Sequence, residues 1–366
     1  MSLAGTFSRT RLTVARQRAH LTKSDLAGRI GVSVSTISRY EEGDRGPLEK
    51  QIQQLAMALG VPAMFLCGLE LDFLQAGAPS FRARRSMTLR QRDAALALAI
   101  IATDIVAPTF LEHFQLPAVD VPDLSDHTPQ VAALLLREQW KLGGGPIGNT
   151  IHLLEAKGVW VFWVGEQPGS IDAFSLWRKN HPFVFLNPLK PAGERARFDA
   201  AHELGHLVLH AGFSTVGDAK TEREANAFAA EFLMPSDQMR RELPSRPILD
   251  LLLRLKPRWG TSVAALVRHG HDIGQYSDWD YTSAFKSISA RWGRTTEPGA
   301  LPREESALLP TILERLATRG KSPYDLAADL NLDFRDLCAL VPAAGRPAPD
   351  DNQSGADKIR HLRVVE

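Results

Sequence analysis

The sequence has few of the features that mark secreted, disulfide-bonded or membrane proteins. Its 366 residues include only two cysteines, Cys67 and Cys338, which lie far apart and form no CxxC pattern. No zinc-finger, redox or disulfide framework can be built from them. The N-terminus also lacks the apolar stretch of a signal peptide. From these features we expect a cytoplasmic protein.

Long hydrophobic runs and an overall charge excess are missing as well. The longest apolar run, AALALAII at 94–101, is too short to cross a bilayer, so no membrane partner is predicted. The net charge is only +1, but it hides a local asymmetry. Residues 1–40 hold seven Lys/Arg against one acid, Asp25. A basic segment in a neutral chain indicates a module that faces a polyanion.

The composition is that of a globular protein, with 44% apolar and 23% charged residues, and the length favours two or three domains. We predict a mainly α protein with a small antiparallel β-sheet (α+β). The sheet is expected from three β-rich runs between residues 158 and 187. Either IDAFSLW (171–177) or FVFLN (183–187) could form its edge. Helices are predicted from Glu194 to about residue 340.

One predicted helix, RFDAAHELGHLVLH, carries an H-E-x-x-H pattern formed by His202, Glu203 and His206. Side chains four residues apart on a helix share a face, about 5–6 Å apart at Cβ. The two histidines can therefore bind one zinc ion, and Glu203 can act as general base beside an activated water. A chance match is common for so short a pattern. The apolar surroundings favour function, because unpaired buried Glu and His are costly.

A third ligand is expected from an acid on the next helix, TEREANAFAAEFLMP. Glu222 lies on its core-facing side and is the predicted ligand, with Glu224 as the alternative. Asn226, one turn later, could bond the non-ligating nitrogen of His202 and fix that ring. His210 lies about 12 Å along the axis from His202, too far to bind the same ion. We interpret it as a helix-end histidine near the C-terminal dipole.

These two segments together resemble the ImmA/IrrE family of zinc metallopeptidases, over roughly Phe81 to Pro235. The resemblance implies a gluzincin-like core in which the glutamate of E-x-x-A-[ND], here Glu222, is the third ligand. It implies Zn²⁺ as the cofactor, although other divalent metals suit the same ligands. It also implies a narrow substrate class, because these enzymes cut helix-turn-helix repressors and so switch on stress or mobile-element genes.

The N-terminal segment LTKSDLAGRIGVSVSTISRYEEGDRGP has the pattern of a helix-turn-helix. Thr22 can cap a helix, Gly31 turns the chain, and Ile37 and Tyr40 face the core. The positions left for DNA contact are Lys23, Ser33, Val34, Ser35, Thr36, Ser38 and Arg39. The arginines of the first helix are expected near phosphates; they are Arg9, Arg11, Arg16 and Arg18.

This region resembles the XRE (lambda-repressor-like) DNA-binding domain from about Thr10 to Leu66. The resemblance implies a five-helix domain that binds an operator. Lys23 and Val34 stand where that family usually has glutamines, which leaves the sequence preference open. A symmetric operator would imply a homodimer.

The motifs divide the chain into five regions. Residues 1–68 form the helix-turn-helix domain, 69–92 a basic linker leading into a helix, 93–240 the metallopeptidase domain, 241–342 a helical C-terminal region, and 343–366 a tail of disordered composition. A degenerate helix-turn-helix pattern at 322–341 has only one basic residue, Arg335, and is interpreted as packing.

Two functions fit these features. The first is a DNA-binding regulator whose zinc endopeptidase domain cleaves a protein substrate, an XRE-type repressor. The alternative is an XRE transcription factor that does not cut and uses its metallopeptidase-like domain as a sensor of a ligand, peptide or metal. The presence of Glu203 favours the first, because a pure sensor has no need of a general base.

Overall fold

The computed structural model describes residues 6–74, 80–81, 88–164, 172–189, 192–210, 219–293, 297–346 and 363–364. Within these ranges the chain is mostly helical, with one small four-stranded sheet and one two-stranded sheet, which confirms the predicted mainly α fold class.

The N-terminal domain consists of four α-helices and a short 3₁₀ helix. The helices are α1 (Arg9–Arg18), α2 (Lys23–Ile30), α3 (Val34–Glu42) and α4 (Glu49–Leu59), and the 3₁₀ helix, Ala63–Leu66, is the fifth element. Thr22, the predicted cap, forms a capping box with Asp25 at the start of α2, and Gly31 ends the helix with a φ of 70°. The left-handed turn at Gly31 sets the angle between α2 and α3.

The N-terminal domain packs through α1 on a long apolar helix, α5 (Leu89–Ile101). A π-helical turn, Ala102–Val106, joins α5 to α6 (Ala107–His113), so that the three segments form one continuous helix. Together, Leu89–His113 is long and apolar enough to cross a membrane by length and composition, but 78% of its most apolar window is buried inside the protein. Its Asp104 carboxylate lies 2.5 Å from the Arg178 guanidinium. We therefore describe it as the central helix of the core.

The sheet has the order β1-β4-β5-β3, with strands β1 (Ser80–Phe81), β3 (Trp160–Trp163), β4 (Ala173–Arg178) and β5 (His181–Leu186). A second, two-stranded sheet pairs β2 (Phe114–Gln115) with β6 (Arg363–Val364). Strands β4 and β5 form a hairpin whose turn residues, Lys179 and Asn180, have φ values of 49° and 63°. A two-residue turn with both φ positive matches the natural twist of a hairpin.

The main sheet is mixed rather than antiparallel, because β3 runs parallel to β5. Strand β5 lies between β4 and β3, so β3 does not pair with β4, the strand that follows it in the chain. All four residues of β3 are buried, as expected for a strand covered on both faces. Alternation in the sequence reports burial but not strand direction, which is why the prediction of a purely antiparallel sheet was wrong.

Helices α7 (Pro129–Gln139), α8 (Thr150–Ala156), α9 (Gly193–Leu209) and α10 (Ala219–Leu233) complete the central part of the chain. Helix α9 packs on β4 and β5, and α10 packs on α9 and α7. A Cβ atom on Gly205 of α9 would lie 3.0 Å from a ring carbon of Phe228 and 3.3 Å from the Cα of Ala225. Glycine at this position therefore permits the close approach of α9 and α10.

The C-terminal region is helical, as predicted. Its helices are α11 (Ser236–Glu242), α12 (Leu249–Trp259), α13 (Val263–Asp272), α14 (Asp278–Trp292), α15 (Leu308–Ala317), α16 (Pro323–Asp329) and α17 (Phe334–Leu340). Most of the predicted tail lies outside the described residues. A 3₁₀ helix, Pro342–Gly345, occupies its start.

Buried charged groups tie this region to α8 and α9. The Lys256 ammonium, 1% exposed, lies 2.6 Å from the Glu194 carboxylate. Glu155 of α8 accepts hydrogen bonds from the backbone N–H groups of Ala307 and Leu308 at 2.9 and 3.0 Å and from the Ser306 hydroxyl, and so caps α15. Burial raises the pKa of Glu155 to about 7, despite these hydrogen bonds.

Candidate functional site

The structure brings the three predicted metal ligands together. The Nε2 atoms of His202 and His206 lie 3.1 Å apart. The carboxylate oxygens of Glu222 lie 3.4 Å from Nε2 of His202 and 3.5 Å from Nε2 of His206. The donor atoms of all three residues fall within 4.8 Å of one another, with both histidines buried and the glutamate half-buried. Helix α9 thus supplies two donors on one face and α10 the third.

This arrangement fits a divalent cation. Ligands about 2.0–2.1 Å from a tetrahedral zinc lie about 3.3 Å from one another, close to the separations among these atoms. The Nε2 atoms of two buried histidines face each other and a carboxylate, a donor set typical of zinc. Burial alone would raise the pKa of Glu222, but the hydrogen bonds and charges of the two histidines hold it well below its usual range.

Glu203, the predicted general base, is fully buried on α9 beside the sheet. The hydroxyl of Ser175 on β4 donates to Oε2 of Glu203 at 2.8 Å and also lies 3.2 Å from the backbone oxygen of that residue. This contact orients one carboxylate oxygen of Glu203. Sequence patterns could not point to Ser175, because its strand and the helix that carries Glu203 are far apart in the chain.

Ser175 also locates Glu203 relative to the edge of the sheet. Strand β4 pairs on its outer side with β1, where Ser80 stands opposite Ser175. Both segments proposed for the edge are therefore interior among the described strands: β4, which holds most of 171–177, is covered by β1, and β5 lies between β4 and β3. The prediction that one of them forms the edge was wrong.

His210 takes part in the site through His206. Nδ1 of His210 lies 3.1 Å from Nδ1 of His206, and Nε2 of His210 lies 3.0 Å from a carboxylate oxygen of Glu224. A carboxylate can only accept, so Nε2 of His210 donates to Glu224 and its Nδ1 accepts from Nδ1–H of His206. That tautomer leaves the lone pair of His206 on Nε2. Burial lowers the pKa of His210, which favours its neutral form.

Glu224, the alternative ligand, is thus the outer partner of His210, while Glu222 faces the Nε2 atoms of His202 and His206. The predicted bond between Asn226 and His202 is not made. Nδ2 of Asn226 instead donates to the backbone oxygen of Glu222 at 2.7 Å, one turn back on its own helix. Nδ1 of His202 has no hydrogen-bond partner among the described residues.

The predicted DNA-contact residues lie along α3 and the start of α2. Val34 is 45% exposed, and Ser33, Ser35 and Arg39 are also exposed. The hydroxyls of Ser35 and Thr36 lie 2.8 and 2.9 Å from that of Ser33, which caps α3. Lys23 lies 3.3 Å from the hydroxyl of Ser38. These residues form one continuous polar face, and their DNA contacts stay a prediction.

The arginines of α1, which were expected near phosphates, instead bond to other groups of the protein. Two donate to backbone oxygens near the ends of other elements, and two pair with carboxylates. The contacts are Arg9 to Glu42 O, Arg11 to Leu69 O, Arg16 to Glu41 and Arg18 to Asp336. The basic excess seen in the sequence therefore stabilises the domain in large part, and α3 carries the exposed Arg39.

Both sequence motifs lie in regions that match the profiles of known families. Residues 154–269 match the profile of a peptidase family described as the IrrE N-terminal-like domain. Residues 14–66 match the profile described as helix-turn-helix. No curated protein matches the chain. The two matches confirm the predicted fusion of an XRE-type helix-turn-helix domain with an ImmA/IrrE-like metallopeptidase domain.

The chain is therefore a DNA-binding regulator that carries a metallopeptidase-like domain. The peptidase match runs beyond residue 240 into α13.

Proposed function

We propose that the protein is a zinc-dependent endopeptidase that cleaves a helix-turn-helix repressor in the cytoplasm and so derepresses stress or mobile-element genes. The observation that supports this most is the convergence of His202, His206 and Glu222, together with the buried carboxylate of Glu203, the residue next to His202 on α9. A metal sensor would need the three ligands. It would have no use for a further, buried acid whose orientation is fixed by Ser175.

His202, His206 and Glu222 would hold the metal, which when bound supplies a Lewis acid that makes water more acidic and polarises a carbonyl group. Glu203 takes a proton from the attacking water and delivers it to the leaving amine nitrogen as the peptide C–N bond breaks. Ser175 keeps the Glu203 carboxylate in one orientation. His210 and Glu224 keep the lone pair of His206 on Nε2.

The proposed substrate is an XRE-type repressor, and DNA binding by the N-terminal domain would bring the enzyme to its gene. An extended segment of the repressor would align with β4, close to Ser175. Substrate entry along β4 has to take the position that β1 holds next to that strand.

Glu203→Gln tests the proposal, because the amide keeps the shape of the side chain but cannot take a proton. We expect the variant to retain its metal and to cleave the repressor about 100- to 10,000-fold more slowly. Mass spectrometry of repressors encoded near the gene, in stressed wild-type and variant cells, provides the measurement. Glu314→Gln, an exposed acid on α15, is the matched control. Unchanged gene activation in Glu203→Gln cells would favour the sensor function instead.

A further inference from the structure

The C-terminal helices α15, α16 and α17 repeat the fold of the N-terminal helix-turn-helix. Helix α16 begins at a capping box formed by Ser322 and Asp325. Helix α2 begins at the same box, formed by Thr22 and Asp25, 300 positions earlier. The capping pattern and its spacing are identical in the two units. The C-terminal segment is therefore more than the packing feature that its sequence suggested.

The turn between the two helices is repeated at the same spacing. Gly31 has a φ of 70° and its counterpart Asn331 a φ of 55°. In both units the next residue donates a backbone hydrogen bond to the buried alanine four residues before the turn, over 3.0 Å in the first unit and 2.8 Å in the second. The buried counterparts are Leu26 and Leu326, Ala27 and Ala327, Ile37 and Leu337, and Tyr40 and Leu340.

The surface chemistry of the second unit is unsuited to DNA. Its last helix, α17, starts at Asp333, whose side chain caps the helix where Ser33 caps α3. A second carboxylate, Asp336, lies in the first turn. Arg335 is paired with Asp333 at 2.9 Å, and Phe334 stacks on Tyr324 at 3.7 Å between ring centroids. Two acids at the start of the equivalent of a recognition helix would repel phosphates.

The same acids face the N-terminal domain. The Asp336 carboxylate, 2% exposed, lies 2.5 Å from Nε of Arg18 at the end of α1, which is 11% exposed. Nη1 of Arg18 also donates to the backbone oxygen of Leu59 at the end of α4. A Cβ atom on Gly60 would lie 3.6 Å from Nη2 of Arg335. The acidic start of α17 thus meets the ends of α1 and α4, an arrangement that opposite charges and helix dipoles favour.

We propose that α15–α17 is a helix-turn-helix unit that binds protein instead of DNA, and that its partner is the N-terminal helix-turn-helix domain of the same chain. Glu155 fixes the start of this unit on α8, and Asp336 fixes its far end on Arg18. The unit therefore bridges the metallopeptidase-like part and the DNA-binding domain. It adds a second attachment to the packing of α1 on α5, so that the direction of α3 relative to the metal site is set. The proposal holds whether or not the protein cleaves a repressor.

Distance measurements by pulsed electron resonance on the full chain test this. Spin labels at Lys50→Cys and Ala328→Cys, both exposed, report the two units, with Cys338→Ala removing the partly exposed thiol. We expect one narrow distance peak. Arg18→Gln and Asp336→Asn should each raise the population outside that peak about 30-fold, since breaking a buried, hydrogen-bonded charge pair weakens an interface by at least that factor.

The exchanged pair Arg18→Asp/Asp336→Arg should restore a large part of the narrow peak. The control is Asp329→Asn, which removes an acid of the same unit that pairs with Lys321 at the surface; it should leave the peak unchanged. Circular dichroism confirms that each variant is folded. A narrow peak that persists in folded Arg18→Gln and Asp336→Asn, or an equal loss in Asp329→Asn, would overturn the proposal.

Discussion

At the scale of single residues, His210 shows how a side chain outside the predicted ligand set can orient one of the ligands. It stands one turn after His206 on α9 and joins that ring to Glu224 through both of its own nitrogens. The acceptor-only carboxylate of Glu224 fixes the tautomer of His210, which in turn fixes that of His206. The Nε2 lone pair of His206, which the proposed metal would bind, therefore depends on two residues outside the predicted ligand set.

His210→Phe keeps a ring in place but removes both nitrogens. We expect the zinc affinity of the full chain to fall about 10- to 100-fold, the usual cost of losing a residue that orients a ligand. Competition with a chromophoric chelator measures the affinity, and a thermal melt checks the fold. Glu224→Gln should have a smaller effect, because its amide oxygen can still accept from His210. An affinity within twofold of wild type in folded His210→Phe would contradict this role.

The residues of the site differ in how far the sequence could predict them. His202, His206 and Glu222 follow from helical spacing, since both helices present one face to the other. Ser175 could not be found in this way, because its contact with Glu203 depends on how β4 packs against α9. Asn226 was predicted to bond His202 across the two helices. Its amide instead donates to the backbone oxygen of Glu222 on its own helix.

At the scale of elements, buried acids that cap the N-termini of helices attach the C-terminal region to the rest of the chain. Glu155 is the clearest case, because it is fully buried and caps α15. Its pKa of about 7 in the folded protein lies above the ordinary value of 4.5. The folded state therefore binds a proton on Glu155 more tightly than the unfolded state does. The resulting stability is fully present below about pH 4.5 and is lost as the pH rises through about 7.

Glu155→Gln mimics the protonated acid and should remove this dependence. Denaturant unfolding between pH 5 and pH 8 should show wild type losing up to about 3 kcal/mol more than the variant over that range. The difference between the two proteins isolates Glu155 from other titrating groups. If the free energy of unfolding changed with pH in the same way for both proteins, protonation of Glu155 would not be linked to folding.

Elements were predicted better than their arrangement. Caps, turns and apolar periodicity are local, so the helices and the three β-rich runs follow from the sequence. The parallel pairing of β3 with β5 depends on contacts between distant segments and left no local trace. The second helix-turn-helix was interpreted as packing because it has only one basic residue, Arg335, although its capping and turn residues correspond to those of the first.

At the scale of the whole molecule, two contacts join the N-terminal domain to the part of the chain that carries the candidate metal site. Helix α1 packs on α5, and Arg18 pairs with Asp336 of α17. Arg16 of α1 pairs with Glu41 inside the N-terminal domain and Arg18 pairs with Asp336 of α17, so α3 is the face expected to meet DNA. Charge counts in the sequence therefore overstated the surface available to phosphates.

Arg39→Ala should weaken binding of the full chain to duplex DNA by about 1–3 kcal/mol and reduce the slope of log affinity against log salt by about one. Fluorescence anisotropy over a salt series measures both quantities. Arg268→Ala, an arginine 68% exposed on α13, is the matched control and should leave both unchanged. Absence of DNA binding by wild type at low salt, or equal losses in the two variants, would contradict the assigned face.

Anomalous diffraction at the zinc edge, from crystals of the full chain grown with zinc, tests the central claim most directly. We expect one strong peak bounded by Nε2 of His202, Nε2 of His206 and the carboxylate of Glu222. A well-ordered crystal in which the two imidazoles diverge, or in which Glu222 turns to solvent and the peak lies elsewhere, would contradict the account.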